Sequence, residues 1–373
     1  MKSIKAAGVI GAGVIGSGWI ARLLLNGIDV FVYDPSKEAP KYVNKVIDNA
    51  ERAYKKLLTS NLPKKGKLLF SASISEVAKS CELIIEAVPE RLSIKQSAYE
   101  EIESSADKNL VIASSTSGIL PSDLQAKMKH PERLLVAHPF NPVYLLPLVE
   151  IVGGSKTSKN VIEETSKNFT NIGMFPLHIK KEIPAFIADR LLESVWREAL
   201  WLVNDDIATT EEIDDAIRYG FGLRWAQMGL FETYRLAGGE AGMRHFISQF
   251  GPCLEWPWTH LMDVPEFTDE LIEKVSSQSD QQSGQFSIDE LMEKRDDNLV
   301  DFLKVLKDNQ WGAGNSLKEF DASLSGSINK LEFSELNLSS PLLTYVTKVP
   351  KEWADYNGHM TEARYLECFS EAT

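Results

Sequence analysis

A glycine-rich turn near the N-terminus constrains the fold of this chain more than any other feature. Ala6–Ile10 has the pattern of a buried strand, a G-x-G-x-x-G turn follows over Gly11–Gly16, and Val14–Asn26 has the pattern of a helix. A second strand pattern, Asp29–Asp34, comes next and ends in a carboxylate. The order strand, turn, helix, strand predicts a βαβ unit whose glycines permit a tight turn, a close ligand and close packing of helix on strand.

That unit predicts a dinucleotide site, because the free amides at the start of the helix face a pyrophosphate. Asp34 can accept hydrogen bonds from both adenosine-ribose hydroxyls, whereas it repels a 2′-phosphate. No arginine adjoins it in the segment 33–36. The sequence therefore predicts NAD rather than NADP as cofactor. The residues predicted to bind it here are Gly11, Ala12, Gly13, Val14, Ile15, Gly16 and Asp34.

Strand and helix patterns alternate as far as residue 183, and helical patterns follow. Further strands are predicted at Leu68–Ala72, Leu83–Val88, Leu110–Ala113, Leu134–His138, Val149–Val152 and Met174–His178. Helices are predicted at Glu38–Leu58, Ser93–Ser104, Pro121–Met128, Lys159–Asn171, Glu193–Val203, Thr210–Tyr219 and Ile288–Lys307. The alternation predicts an α/β fold, a Rossmann-type doubly wound parallel sheet, followed by an all-helical second domain.

Composition divides the rest of the chain and limits its partners. We place the NAD-binding domain at 1–183, the helical domain at 184–325 and a linker and tail at 326–373. Ser276–Ser287 is rich in Ser, Gln and Asp, which predicts a loop or linker, and Asn315–Pro341 is again polar and Ser-rich. The net charge of -13, without a long Lys/Arg run, argues against nucleic acid and anionic membranes as partners.

The N-terminus and the cysteines bear on localisation. The apolar run Ala6–Ile20 carries five glycines and continues into a strand, so we do not read it as a secretory signal. No other apolar stretch is long enough to span a bilayer. The three cysteines are far apart and lack metal-ligand spacing, so we expect a reducing, cytoplasmic location and no metal.

His138 and Glu150 are the candidate catalytic pair. His138 ends a predicted strand, at the sheet edge where ligands of open α/β sheets bind. Glu150 lies within the apolar strand that follows, where a carboxylate is costly unless it has a partner. Oxidation of an alcohol needs a base for the hydroxyl proton, and histidine suits that role near neutral pH. From spacing alone, a structural histidine and a salt-bridged glutamate are equally good interpretations.

About residues 1–250 resemble the 3-hydroxyacyl-CoA dehydrogenase family. The resemblance rests on five motifs in the family's order and spacing, at Gly11–Gly16, Glu86–Glu90, Ser114–Ser117, His138–Val143 and Pro184–Arg190. It implies that His138 is the base, that Glu150 is its partner, and that Ser117 lies near the substrate hydroxyl and the nicotinamide. It also implies a homodimer formed through the helical domain.

The same resemblance implies further cofactor contacts. Glu90 and Lys95 match positions on the nicotinamide side of the cofactor, and Asn141 matches a residue that helps to order the site. A helix-start acid and a solvated lysine are the alternative interpretation of Glu90 and Lys95. Two departures concern the substrate, because acyl-CoA members carry Gly and Asn where this chain has Ala185 and Asp189. The change to Asp189 puts a CoA thioester in doubt.

The segments Phe221–Gly229 and Phe231–Thr233 resemble the branch of the family that acts on small, free hydroxy acids. With the tail, they imply oxidation of the 3-hydroxyl of L-carnitine to 3-dehydrocarnitine. Its cation calls for aromatic faces or a carboxylate, and its own carboxylate for arginine. The candidate substrate-binding residues are Phe140, Asp189, Arg190, Trp196, Arg224, Trp225 and Phe231. Alternatively, the tryptophans belong to the core or an interface, and Asp189 pairs with Arg190 or Arg224.

Other functions stay open from the sequence. The same residues suit another small hydroxy acid such as gulonate, or a 3-hydroxyacyl-CoA. A non-catalytic, crystallin-like NAD-binding protein is the third possibility, which intact Ser117, His138 and Glu150 disfavour. In the tail, Asp355–Met360 and Ala363–Leu366 resemble the opening of a hot-dog thioesterase domain, although Thr361 departs from the motif. The fragment is too short for an independent core, so we expect a truncated fusion without thioesterase activity.

Overall fold

The computed structural model describes residues 4–237, 242–252, 258–260, 266, 268–271, 273–274 and 285–328. Most of the linker predicted at 276–287 and the whole thioesterase-like tail therefore lie outside the described residues. Across the ranges just given, no helix combines the length and the apolar character that a bilayer crossing requires.

One eight-stranded sheet organises the N-terminal half. Its order is β3-β2-β1-β4-β5-β6-β7-β8. Neighbouring strands are parallel except for β6 and β7, which are antiparallel. The strands are β1 (Ala6–Ile10), β2 (Asp29–Tyr33), β3 (Leu68–Phe70), β4 (Leu83–Glu86), β5 (Val111–Ser114), β6 (Leu134–Pro139), β7 (Leu148–Gly153) and β8 (Phe175–Ile179). The predicted Rossmann-type sheet is confirmed.

Helices cover both faces of this sheet. Alternate strand residues enter different buried clusters: Val9 and Ile85 lie in one, Ile10 and Ile84 in the other. This is the period of two that a strand imposes on its side chains. The covering helices are α1 (Val14–Leu25), α2 (Ala39–Leu57), α3 (Ile74–Lys79), α4 (Leu92–Ser105), the single turn α5 (Pro121–Leu124) and α6 (Lys159–Asn171).

The second domain is all-helical, as predicted. It contains α7 (Ala188–Asn204), α8 (Thr210–Ala216), α9 (Gly222–Ala237) and α10 (Gly242–Phe250). Thr209 and Glu212 form a capping box at the start of α8. A π-helical turn, Ile217–Phe221, joins α8 to α9.

The last two described helices return to the sheet domain. They are α11 (Ile288–Asp308) and α12 (Ala313–Ile328), and α11 packs on α2. The Ser-rich segment that begins at Asn315 is helical as far as Ile328. Leu317, Phe320 and Leu324 recur at helical spacing and are buried in the main core, so tertiary packing overrides the Ser-rich composition.

Candidate active site

The glycine-rich turn has the geometry that a pyrophosphate site needs. Gly11 has φ +91°, in the region that favours glycine. A Cβ on Gly16 would lie 1.9 Å from the carbonyl oxygen of Gly11, so no larger residue fits there. A Cβ on Gly13 would meet nothing within 4 Å, which leaves the space that a close-lying phosphate requires. The residues present therefore fit a dinucleotide at the start of α1.

Asp34 is held at the rim of an apolar cavity of about 560 Å³. Its Oδ2 accepts a hydrogen bond from the Ala12 amide at 2.7 Å, and its Oδ1 accepts one from the Ser36 amide at 2.8 Å. Each oxygen keeps a lone pair for a ribose hydroxyl. Val88 and Ala98 contribute to the cavity wall, which suits an adenine ring.

The antiparallel register of β6 and β7 places His138 opposite Glu150. His138 Nδ1 lies 2.9 Å from Glu150 Oε2. Glu150 is fully buried, and its Oε1 accepts hydrogen bonds from the Ile187 and Ala188 amides, both at 3.0 Å. These amides open α7, so the positive end of a helix dipole compensates the buried carboxylate.

His138 itself is almost completely buried between two aromatic rings. Its ring centroid lies 5.1 Å from that of Phe140 and 5.6 Å from that of Phe186. When Nδ1–H donates to Glu150, Nε2 carries the lone pair that a general base needs. The strand pairing therefore produces an oriented imidazole, which is the arrangement expected for this pair.

Asp189 lies on the other side of the imidazole. Its Oδ2 is 3.5 Å from His138 Nε2. Among the ion pairs of the described residues, it pairs with neither Arg190 nor Arg224. Burial raises the pKa of the Asp189 carboxyl; His138 lowers it, and Glu150 and Glu193 raise it again, so the balance lies above its ordinary value.

The backbone just before α7 shows what the change from glycine to Ala185 costs. Ala185 has φ +60° and Phe186 has φ +52°, both in the left-handed region. Glycine reaches this region without steric cost, whereas an L-residue pays roughly 1 kcal/mol. The family's glycine at the position of Ala185 therefore has a conformational reason, and this chain carries the strain instead.

A buried network joins the ends of β4 and β5. Lys95 Nζ contacts Glu86 Oε1 at 2.8 Å, Glu90 Oε2 at 3.2 Å and the Val88 carbonyl at 3.3 Å. Lys95 is 1% exposed, so its interpretation as a solvated lysine is wrong. Three acceptors match its three donors, which makes it an anchor for Glu90 within the protein.

Glu90 connects this network to Ser117. Its Oε1 accepts hydrogen bonds from the Thr116 hydroxyl and from the Ser117 amide. Burial raises the pKa of Glu90, but the hydrogen bonds from Thr116 and Lys95 outweigh burial and hold the pKa below its ordinary value. An anionic Glu90 thus fixes the turn that carries Ser117.

Sequence reasoning did not assign a role to Glu86. This carboxylate is fully buried and also accepts hydrogen bonds from Tyr99 at 2.6 Å and Ser114 at 2.7 Å. The signal was present, because Glu86 ends an apolar strand, as a costly buried acid does when it has partners. The same argument had identified Glu150.

The remaining predicted residues are more open. Ser117, shortly after β5, and Asn141, in the loop after β6, are both exposed. Arg190 donates to the Pro184 carbonyl at 3.4 Å, and the Trp225 ring packs at a tilt of 57° against Phe221, with 4.6 Å between centroids. Exposed side chains on α7 and α9 include Arg190, Trp196, Arg224, Trp225 and Phe231. Their contacts with a substrate stay predictions.

Comparison with known proteins agrees with this geometry. The family profile "3-hydroxyacyl-CoA dehydrogenase, NAD binding domain" matches residues 6–183, and the profile of the C-terminal domain of the same family matches residues 186–264. A Ruegeria pomeroyi protein named L-carnitine dehydrogenase/betainyl-CoA thioesterase is 54% identical, over 99% of this chain and 76% of its own. A Mesorhizobium japonicum L-carnitine dehydrogenase is 56% identical, over 87% of this chain and 91% of its own.

Among solved structures, a similar one is 5-formyl-3-hydroxy-2-methylpyridine 4-carboxylic acid 5-dehydrogenase, described as an NAD+-dependent dismutase. Its TM-score is 0.68 at 28% identity, and the match covers 82% of this chain and 99% of that one. The likeness extends over both the sheet domain and the helices that follow it.

Proposed function

The chain belongs to the 3-hydroxyacyl-CoA dehydrogenase family, and on that premise we propose that it oxidises the 3-hydroxyl of L-carnitine to 3-dehydrocarnitine, with NAD as cofactor. Relatives more than 50% identical over most of the chain carry the name of this activity. The observation that carries the proposal for this chain is the position of Asp189 beside His138, on the side away from Glu150.

The chain's residues divide the chemistry between them. His138 Nε2 removes the hydroxyl proton, while Glu150 holds the ring and stabilises the imidazolium that forms. NAD supplies the acceptor for the hydride that leaves the carbinol carbon. Ser117 hydrogen-bonds the substrate oxygen, and the network of Lys95 and Glu90 fixes the turn from which it does so.

Asp189 is the proposed partner of the cationic group of the substrate. In carnitine the quaternary nitrogen stands two bonds from the carbinol carbon, so a group beside the catalytic base also lies beside the cation. Trimethylammonium has no N–H, and its recognition depends on diffuse charge and aromatic surface. Asp189 supplies the charge and Phe140 the surface. A carboxylate at this position also opposes a polyanionic CoA thioester.

The other substrate contacts belong to the same proposal. Arg190 and Arg224 are proposed to bind the substrate carboxylate. Trp196, Trp225 and Phe231 are proposed to enclose the substrate when a second copy of the chain covers α7 and α9. Gly11–Gly16, Asp34 and Asn141 are proposed to bind the cofactor.

We also propose a homodimer, acting in the cytoplasm. Large apolar side chains are exposed along the helical domain, among them Leu192 (55%), Trp196 (56%), Leu223 (50%) and Phe231 (71%). Exposure on this scale is typical of an interface. Light scattering is expected to give twice the chain mass, and Phe231→Asp to lower it; a monomeric unmodified protein contradicts the dimer.

The activity is tested by following NAD reduction with L-carnitine, gulonate, 3-hydroxybutyrate and 3-hydroxybutyryl-CoA under one set of conditions. We expect the highest kcat/KM with L-carnitine. A higher value with the CoA thioester, or with a hydroxy acid that lacks the cationic group, would overturn the substrate while leaving the dehydrogenase chemistry intact.

A further inference from the structure

The helix pair α11–α12 lies beyond both family-profile matches, which end at residue 264, yet it is part of the sheet domain. Val300 and Leu303 of α11 and Phe320 of α12 belong to the same buried cluster as Trp19 and Val149. Phe320 packs directly against Gly173, where an added Cβ would come within 2.8 Å of the ring. The pair is therefore integrated into the core and does not sit loosely on the surface.

Polar contacts tie the same helices to α2. Asp297 pairs with Arg52 at 2.5 Å and with Lys56 at 2.6 Å. Asp321 of α12 accepts hydrogen bonds from the Ser60 amide at 2.8 Å and from the Thr59 amide at 3.2 Å, just after α2. These contacts fix the pair on the domain but do not reach the catalytic edge.

One contact does reach that edge. Asp296 is fully buried, and its Oδ2 accepts a hydrogen bond from the Tyr144 hydroxyl at 2.5 Å. Tyr144 is 4% exposed and belongs to the 140–147 loop, which connects β6 to β7 and begins two residues after His138. A buried hydrogen bond from a hydroxyl to a carboxyl oxygen, shielded from water, favours one loop conformation over others.

The opposite side of the 140–147 loop is held by Arg22 of α1. Its Nε donates to the Val143 carbonyl at 2.7 Å and its NH2 group to the Leu146 carbonyl at 3.2 Å. The same guanidinium donates to the Ile172 and Gly173 carbonyls at 2.9 and 3.2 Å. Hydrogen bonds thus hold the loop on one side to α1, the helix of the predicted cofactor site, and on the other side to α11.

We propose that α11–α12 is a brace for the active site, and that Asp296 and Tyr144 are positioning residues that set the 140–147 loop. This loop carries Phe140, which packs on the His138 ring, and Asn141. Its displacement therefore changes the angle at which the imidazole meets the substrate. An error of about 1 Å in such a position can cost on the order of a hundredfold in rate.

The test compares neighbouring residues on α11. Tyr144→Phe and Asp296→Ala remove the contact with the 140–147 loop, Asp296→Asn keeps a carbonyl acceptor for the Tyr144 hydroxyl, and Asp297→Ala removes only the bridges to α2. We expect kcat with L-carnitine to fall about tenfold or more in the first two variants, with KM for NAD within about twofold. Asp296→Asn should retain most of the turnover, and Asp297→Ala all of it.

The double variant Tyr144→Phe/Asp296→Ala should fall no further than the worse single one, because both remove the same contact. Hydrogen exchange provides a readout independent of substrate: amides of residues 143–146 should exchange faster in Tyr144→Phe and not in Asp297→Ala. Unchanged exchange there, or equal losses of kcat in the Asp297→Ala control, overturns the brace. Only the measurement of kcat with L-carnitine rests on the proposed function. If the protein does not oxidise carnitine but amide exchange is still faster in Tyr144→Phe, the substrate is refuted and the brace is retained.

Discussion

The two sides of the proposed active site differ in how completely one chain builds them. On the sheet side, His138, Glu150 and Lys95 are each at most 5% exposed, and each has a hydrogen-bonded or charged partner. On the helical side, Trp196 is 56% exposed and Phe231 is 71% exposed. The sheet side, which we call the finished wall, has its hydrogen bonds complete without a ligand. The helical side, which we call the helical wall, exposes apolar side chains to solvent.

The contrast follows from what each wall does. Proton transfer requires groups held in one geometry, and burial with complete hydrogen bonding provides it at the cost of desolvation. Recognition of a trimethylammonium group requires surface and charge rather than directed bonds, so that wall can be completed by the substrate and by a second subunit. Asp189 lies at the junction, half-buried in the first turn of α7, with its Oδ2 3.5 Å from Nε2 of the base.

The largest effect is expected on the finished wall. His138→Gln should lower kcat by about 10²–10⁴-fold, because a positioned general base contributes that much, while the Kd for NADH changes little. Steady-state kinetics and fluorescence titration with NADH measure the two quantities. A loss of NADH affinity equal to the loss of kcat would mean that the substitution disturbs the cofactor cleft as well.

The finished wall is also the part that the sequence predicts best. The glycine spacing, the strand periods and a carboxylate within an apolar strand are local signals, and each has one economical structural explanation. Glu150 is an example: its burial cost demands a partner, and the β6–β7 pairing delivers His138. Glu86 carried the same signal and went unassigned, because its partners Lys95, Tyr99 and Ser114 are spread along the chain.

The helical wall and the brace are harder to predict for physical reasons. Exposed tryptophans on α7 and α9 have the same sequence pattern whether they meet solvent, substrate or a second subunit. Helix α12 has a Ser-rich composition and is stabilised by packing of Leu317 and Phe320 on distant residues, so local propensity does not reveal it. Arg190 and Arg224 look alike in sequence, and only their positions relative to a bound substrate can separate their roles.

At the cofactor edge of the finished wall, Asp34→Ser should reduce the ratio of kcat/KM with NAD to that with NADP by roughly ten- to a hundredfold. The substitution removes two acceptors for the ribose hydroxyls and the charge that opposes a 2′-phosphate, each worth about 1–2 kcal/mol. The comparison uses L-carnitine as the common substrate. Equal use of the two cofactors by the unmodified protein would contradict the role of Asp34 and leave His138 unaffected.

At the junction of the walls, Asp189→Asn should raise KM for L-carnitine about tenfold, the effect of losing about 1.4 kcal/mol of attraction to the cation. KM for 3-hydroxybutyrate should not rise with it. The pKa of Asp189 is raised, so its anion is lost on acidification sooner than for an ordinary aspartate. KM for carnitine should therefore increase as pH falls through that pKa, and the variant should not show this dependence.

The same substitution should stabilise the folded protein at neutral pH. A carboxyl group with a raised folded-state pKa contributes stability below its unfolded pKa and loses it as pH rises through the folded pKa. At neutral pH the ionised Asp189 thus carries a cost, which asparagine removes, so Tm should increase by a degree or so. A lower Tm together with equal rises in both KM values would show that Asp189 supports the structure and does not select the substrate.

The smallest effect is expected from removing residues 329–373, which belong to neither wall. A chain ending at Ile328 retains α12 and with it the packing of Phe320 on Gly173, the Asp321 contacts after α2 and the buried Asp296–Tyr144 bond. All residues proposed to bind the cofactor or the substrate, or to take part in the chemistry, lie between Gly11 and Phe231. We therefore expect kcat and KM for L-carnitine within about twofold of the full chain, and Tm within a few degrees.

The matched control is a chain ending at Gln285, which lacks the brace. Its turnover should fall by at least the factor seen for Tyr144→Phe. If the chain ending at Ile328 loses activity while its Tm holds, residues 329–373 shape the site, and the division into a finished wall and a helical wall has to include them.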